Sequence, residues 1–368
     1  MVVLAAPVSP VPGSTSPEKG PAIRGKGINY DTGFSPGGRN SREDFDAGIV
    51  RREMHVIARE LHCTAVRVSG GDPGRLSIAG ELAAAEGLEV WFAPFPCELT
   101  TEQLAPLFAD CADRAEHLRR AGGQVVLVTG CELTLFAAGF LPGGTVYERI
   151  DGLKSGGQQL HAAFAELPGK LNGFLATTAE DVRSRFGGPV TYASGTWEPV
   201  DWHPFDIAAV DAYRDAANAG AFRSQLRKQR QHGKPLAVTE FGCCGYAGAG
   251  DRGGMGWAII DASTDPLRLD GDYVRDEAEQ VRYLEELTAI FAAEGVDLAF
   301  WFTFAGYGLV HDTDPRRDLD LASYGLVKML PGGPGAGYHG LGWEPKLAFG
   351  ALAQADWQTV PAAGGEPG

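Results

Sequence analysis

The sequence VTEFG at positions 238–242 is an apolar strand segment that reaches a glutamate and then a glycine. The sequence VTGCE at positions 128–132 follows a similar pattern, an aliphatic run that ends in glycine, cysteine and glutamate. Parallel barrels place polar groups in this way, because the carboxyl ends of all their strands open on one face. The two stretches therefore favour a parallel α/β fold with Glu132 and Glu240 at one rim.

Apolar runs of strand composition recur along the chain and alternate with segments of helical period. Eight strands are predicted, at residues 25–31, 64–69, 88–94, 124–129, 189–194, 207–213, 236–240 and 298–304. Helices are predicted between and after them, at residues 42–61, 76–86, 102–121, 157–186, 222–232, 273–294 and 345–355. Strands that are apolar nearly throughout are typical of parallel pairing with both faces covered. No glycine-rich phosphate turn follows any strand, so a closed (β/α)8 TIM barrel is predicted rather than a doubly wound sheet.

The chain of 368 residues has no convincing internal linker. We predict a flexible leader at residues 1–23, which are rich in Pro, Ser and Gly, a single barrel domain at 24–358, and a flexible tail at 359–368. The leader lacks an early positive charge before its apolar run and is a poor secretory signal. A cytoplasmic location is therefore expected.

Composition narrows the classes of function. The formal net charge of -15 argues against nucleic acid as a partner, because binding phosphates needs clustered Lys and Arg. No apolar stretch approaches the roughly 20 residues that cross a bilayer. The six cysteines are scattered, and none has the spacing of a zinc site. We expect no metal, no cofactor, no membrane association and a small-molecule or oligosaccharide ligand.

Polar and aromatic residues gather at the predicted strand ends, where a barrel brings distant positions together. They are Asn29, Tyr30, Arg67, Glu98, Cys131, Glu132, Trp197, Tyr213, Glu240 and Trp301. Aromatic faces stack on sugar rings, and carboxylates, Asn and Tyr hydrogen-bond hydroxyl groups. This acidic, aromatic set with one arginine suits a neutral polyhydroxylated ligand, with Asn29, Tyr30 and Trp197 as pocket wall.

From about residue 25 to 355, the chain resembles a divergent member of the glycoside hydrolase clan of (β/α)8 barrels with catalytic glutamates at strand ends four and seven, the retaining cellulase, xylanase and galactanase type. The resemblance implies that Glu240 is the nucleophile and Glu132 the acid/base. It implies that Arg67 and Tyr213 contact the nucleophile, and that Trp301 forms the platform beneath the sugar.

One position departs from the clan. Cys131 stands where the clan has an asparagine that holds the sugar 2-hydroxyl, and a thiol is a weak hydrogen-bonding group. The leading prediction is a retaining glycoside hydrolase that cleaves an O-glycosidic bond by double displacement. The alternatives are a repurposed glycosidase-fold enzyme acting on a specialised metabolite, and a non-catalytic carbohydrate-binding or defence protein on the same fold.

Overall fold

The computed structural model describes residues 23–332 and 338–357. The predicted tail and residues 1–22 of the predicted leader lie outside the described residues. Ile23, which the sequence analysis placed in the leader, is buried, and its backbone N–H donates to the carbonyl oxygen of Trp357 at 2.9 Å. Ile23 therefore belongs to the packed body of the protein.

Eight parallel strands close into a barrel, as the sequence predicts. They are β1 (Gly25–Asp31), β2 (Ala65–Gly70), β3 (Glu89–Pro94), β4 (Val125–Cys131), β5 (Val190–Gly195), β6 (Ala208–Asp211), β7 (Leu236–Phe241) and β8 (Leu298–Trp301). Each strand pairs with its neighbours in chain order, and β8 closes the barrel against β1. All eight carboxyl ends therefore open at one rim, which is called the mouth below.

Helices follow most of these strands, although none lies between β5 and β6, and the longer ones cover the outside of the barrel. They are α1 (Ala47–Arg59), α2 (Pro73–Ala85), α3 (Thr101–Arg120), α4 (Leu133–Phe136), α5 (Val146–Ser155), α6 (Gln158–Arg183), α7 (Phe222–Arg230), α8 (Glu277–Glu294) and α9 (Leu347–Gln354). Helix α1 begins later than predicted because Asp46 caps it, accepting from the backbone N–H of Ile49 at 2.9 Å. Its buried face carries Val50, Met54 and Ile57 at helical spacing.

The barrel interior is packed with side chains. Trp91 of β3 and Phe300 of β8 meet edge to face inside it, with ring centroids 4.9 Å apart. Gly27 of β1 lies against Phe300, where a β-carbon would lie 2.4 Å from Cδ1 of the ring. Strand β1 therefore carries glycine where the paired residue of β8 is a phenylalanine, and this packed interior supports the mouth from below.

In the described residues, further elements lie outside the barrel strands. Helices α4 and α5 occupy the segment between β4 and α6, where the sequence analysis predicts no helix. The loop after β7 holds a short antiparallel hairpin, Ile260–Asp261 with Arg268–Leu269. After β8, a small sheet forms from Ala305–Val310, Val327–Met329 and Trp343–Pro345. Within residues 23–332 and 338–357, no helix combines the length and apolar character needed to cross a membrane.

Candidate active site

Glu132 and Glu240 both lie at the mouth. Glu132 directly follows β4, and Glu240 is the second-last residue of β7. Gly242, which ends the VTEFG stretch, lets β7 approach the segment after β8. A β-carbon at this position would lie 2.4 Å from the carbonyl oxygen of Phe302. The glycine after the second glutamate is thus required by the close approach of two backbone segments.

Both oxygens of the Glu240 carboxylate have partners. Nη1 of Arg67 donates to Oε1 at 2.6 Å, and the hydroxyl of Tyr213 donates to Oε2 at 2.9 Å. The same Arg67 nitrogen donates to Oδ1 of Asn29 at 2.8 Å. The Arg67 side chain is fully buried, and Glu240 is 8% exposed. A charged guanidinium and a phenol therefore hold this carboxylate in one orientation, almost out of solvent.

Glu132 adopts an unusual backbone conformation. Its φ and ψ angles are 42° and 46°, in the left-handed region that a non-glycine residue adopts at a cost of about 1–3 kcal/mol. Its N–H donates to the carbonyl oxygen of Ala193 in β5 at 2.9 Å. Burial and the negative charges of Asp211, Glu240 and Glu198 raise the pKa of Glu132 well above its usual value. These surroundings suit a carboxylic acid that is still protonated near neutral pH.

A buried pair, Tyr192 and Glu198, holds the turn that carries Glu132. The Tyr192 hydroxyl donates to the Glu198 carboxylate at 2.8 Å and accepts from the N–H of Leu133 at 2.7 Å. Glu198 also accepts from the N–H of Thr134 at 3.0 Å. This pair, which lies on β5 and the loop after it, was missed from the sequence. The only signal in the sequence was a glutamate beside Trp197, because the contacts of this pair with Leu133 and Thr134 join residues about 60 positions apart.

Cys131 and Asp211 lie beside the carboxylate of Glu240. The Cys131 sulfur is 3.4 Å from Oδ2 of Asp211 and 3.6 Å from Oε1 of Glu240. Burial and these two negative charges raise the pKa of Cys131 well above its usual value, so it stays a thiol rather than a thiolate nucleophile. Burial and the charge of Glu240 likewise raise the pKa of Asp211. The sequence analysis did not include Asp211 in the site.

The same three side chains are a candidate metal-binding set. Cys131, Asp211 and Glu240 each offer one ligand atom, and these atoms lie within 4.8 Å of one another. However, Arg67 donates to the Glu240 oxygen that faces the thiol. A guanidinium already supplies positive charge at the oxygen a metal would need, so the donor set does not fit a cation.

Tyr30 does not face the mouth, contrary to the prediction of a pocket-wall role. It is fully buried outside the barrel, where its hydroxyl donates to Oε2 of Glu53 in α1 at 2.5 Å. Side chains alternate along a strand, and Asn29, one residue earlier, is the one that bonds Arg67 inside. Asn29 is itself 1% exposed, so it supports Arg67 rather than lining the pocket.

Trp301 also lies behind the barrel wall rather than beneath a ligand. It is fully buried, meets Phe241 edge to face with centroids 5.5 Å apart, and donates from Nε1 to the carbonyl oxygen of Tyr324 at 3.1 Å. Its neighbour Phe300 points into the barrel instead. The predicted platform role is therefore wrong for Trp301 in this structure. The half-buried aromatic residue next to it is Phe302.

Aromatic side chains surround the mouth at other positions. Trp197, predicted as pocket wall, is 39% exposed and donates from Nε1 to Oγ1 of Thr134, two residues after Glu132. A second group joins the loops after β1, β3 and β4, with ring centroids 4.9 and 4.6 Å apart along the series Phe34, Phe95, Phe136. The sequence analysis missed this group, although each phenylalanine follows a strand end within five residues.

Searches with the sequence found no relatives. No protein-family model matches it, and no curated protein is similar enough to match. The three-dimensional structure does have neighbours among solved structures. A GH113 β-1,4-mannanase superposes with a TM-score of 0.55 at 13% identity, over 91% of this chain and 99% of that chain. The GH113 β-mannanase AaManA from Alicyclobacillus acidocaldarius gives 0.54 at 17% identity, over 91% and 97%.

These likenesses establish the fold. Together with the closed barrel of eight parallel strands, they show that the protein has a (β/α)8 barrel fold, which it shares with these two mannanases.

Proposed function

We propose that the protein is a retaining glycoside hydrolase, with Glu240 as nucleophile and Glu132 as acid/base. One observation carries the proposal. At the mouth of a glycosidase-type barrel, one carboxylate is held by Arg67 and Tyr213, while the other carboxyl group has a pKa well above its usual value. Double displacement needs one carboxylate held in place to attack and a second carboxyl group that can give a proton.

The mechanism follows from these roles. An oxygen of Glu240 attacks the anomeric carbon, the bond to the leaving oxygen breaks, and Glu132 gives its proton to that oxygen. Glu132 then takes a proton from water, whose oxygen attacks the anomeric carbon and displaces Glu240. Arg67 holds the Glu240 carboxylate in position through a charge-assisted hydrogen bond.

The surroundings support a sugar as the ligand. Exposed Trp197 stands beside the turn of Glu132, and the rings of Phe34 and Phe136 lie partly exposed above the barrel interior. Such rings stack on the C–H faces of pyranosides. The acidic mouth disfavours phosphorylated sugars, so we propose a neutral glycoside as substrate.

Cys131 supports a substrate that differs from those of typical clan members. The resemblance leads one to expect an amide at the sugar 2-hydroxyl. This chain instead has the thiol of Cys131, which donates a hydrogen bond to Asp211 and lies close to Glu240. This observation favours the second candidate, a glycosidase-fold enzyme whose substrate is a glycosylated specialised metabolite. Both candidates use the same two carboxyl groups and the same bond cleavage.

A panel of nitrophenyl glycosides tests the proposal. We expect wild type to release nitrophenol from at least one sugar, and Glu240→Gln and Glu132→Gln to lower kcat/KM by at least about 10²-fold. Glu60→Gln is the matched control, since Glu60 follows α1 at the opposite end from the mouth. Equal turnover in Glu240→Gln and wild type would contradict the mechanism. Sugar binding that survives in both active-site variants, without turnover by wild type, would indicate a binding protein.

A further inference from the structure

The loops after β4 and β7 touch each other above the mouth. Tyr147, the second residue of α5, lies with its ring centroid 6.1 Å from that of Trp257 in the loop after β7, at an interplanar angle of 58°. In the barrel, β5 and β6 separate these two strands on one side. We call this contact the Tyr147–Trp257 bridge.

The bridge also reaches the loop after β1. The Tyr147 ring lies against Gly37, where a β-carbon would come within 2.7 Å of Cε2 of the tyrosine. Strand β1 is three places from β4 in one direction around the barrel, and β7 is three places away in the other. A side chain from the β4 loop that contacts both loops lies over the mouth rather than along its rim.

A partly exposed carboxylate and a buried guanidinium fix the segment that carries the bridge. Glu98, after β3, accepts from the N–H of Gly37 at 3.1 Å and from the N–H of Val146 at 2.9 Å. The fully buried Arg149 donates to the carbonyl oxygens of Gly143, at 2.8 Å, and of Leu135. Three loops are therefore tied together beneath Tyr147, and the bridge is a built part of the site rather than a loose flap.

We infer that the Tyr147–Trp257 bridge closes the site on one side and limits substrates to small glycosides and chain ends. Cleavage within a polysaccharide needs a groove that is open at both ends past the carboxyl pair, and a bridge across the mouth obstructs it. Glu240 is only 8% exposed, which agrees with restricted access to it. The inference rests on the proposed function and deepens it by naming the substrate class.

Oligosaccharides of the sugar selected by the nitrophenyl panel test the bridge. With an end-labelled hexasaccharide at low conversion, we expect wild type to release only units from one end, and kcat/KM not to rise with chain length. Tyr147→Ala and Trp257→Ala should produce internal cleavage products and raise kcat/KM for the hexasaccharide at least tenfold relative to the nitrophenyl glycoside. Tyr147→Phe and Trp257→Phe keep a ring and should behave as wild type.

The outcomes separate the two proposals. Internal cleavage by wild type, or alanine variants with an unchanged product pattern, would overturn the inference while the hydrolase remains. If the wild-type protein cleaves no glycoside and the Glu240→Gln variant binds none, the proposed function is overturned, and the inference with it.

Discussion

Replacing Arg67 with methionine removes the cation that holds the proposed nucleophile. The Arg67 side chain has no solvent exposure, and its Nη1 donates a hydrogen bond to Oε1 of Glu240 at 2.6 Å. Breaking a buried ion pair by removing one partner costs about 3–5 kcal/mol, because the other charge is left uncompensated. We expect Arg67→Met to lower the free energy of unfolding at pH 7 by that amount.

The second arm of the experiment repeats the change in Glu240→Gln. In this background the guanidinium has no Glu240 carboxylate as a partner. Replacing Arg67 then removes an unpaired buried cation, which is favourable, together with its hydrogen bond to Asn29, which is unfavourable. The Arg67→Met loss should therefore shrink to under about 1 kcal/mol, giving a coupling energy of roughly 2 kcal/mol or more, within the range found for contacting residues.

Urea denaturation followed by tryptophan fluorescence measures all four proteins. Arg149→Met is the matched control, because Arg149 is equally buried but donates to backbone carbonyls rather than to Glu240. Its loss should be the same in both backgrounds. If Arg67→Met costs the same in wild type and in Glu240→Gln, to within about 0.5 kcal/mol, the ion pair at the centre of the site does not exist in solution.

Three further outcomes are expected. Burial and the charge of Asp211 are the two largest causes of the raised pKa of Glu132, so Asp211→Asn should move the alkaline limb of kcat against pH to lower pH; an unmoved limb contradicts the coupling. Trp301→Ala should lower the free energy of unfolding by about 3–5 kcal/mol, measured in urea, while KM stays within twofold, since the ring packs away from the mouth; a large rise in KM would restore the platform role. Glu198→Gln should lower kcat with KM nearly unchanged, because Glu198 and Tyr192 fix the turn of Glu132. It should also move the alkaline limb of kcat to lower pH, by less than Asp211→Asn does, since the charge of Glu198 is a smaller cause of the raised pKa of Glu132. Loss of stability with normal kcat would make the pair merely structural.

The pH dependence of stability has a definite sign at Asp211. Its folded-state pKa is raised, so the native protein binds more protons than the unfolded chain between the two pKa values. Stability therefore falls as pH rises through that window. Asp211→Asn removes this loss, and its stabilising effect should be present at pH 7 and absent below about pH 3.9, the ordinary value for aspartate. Thermal melts at the two pH values check this.

The strand positions were accessible from sequence because each strand is a short apolar run that ends at a polar or glycine-rich turn. The stretches around Glu132 and Glu240 combine that pattern with a terminal carboxylate, and closure of the barrel brings the two glutamates to the same mouth. The ion pair between Arg67 and Glu240 could be proposed from the family resemblance, and the structure places the two groups in contact.

The direction in which each strand side chain points was harder to predict from the sequence. Parallel strands covered on both sides are apolar at every position, so the sequence carries no alternation that separates inward from outward side chains. A shift of one residue reverses the face, which is why Tyr30 and Trp301 were assigned to the pocket while Asn29 and Phe300 point inward.

Contacts between loops were not accessible at all. Glu198 with the turn of Glu132, and Tyr147 with Trp257, join segments that are about 60 and about 110 residues apart. No local period or motif encodes such a meeting, since it depends on the path of each loop over the mouth.

Trapping the covalent intermediate tests the central claim most directly. A fluorine at the sugar 2-position slows both steps through the oxocarbenium-like transition state, and an activated leaving group allows the first step to proceed. With a 2-deoxy-2-fluoro glycoside of the selected sugar, intact-protein mass spectrometry should show one added sugar, and peptide mapping should place it on Glu240. No adduct from a wild type that turns over the parent glycoside, or an adduct on any other residue, would contradict the account.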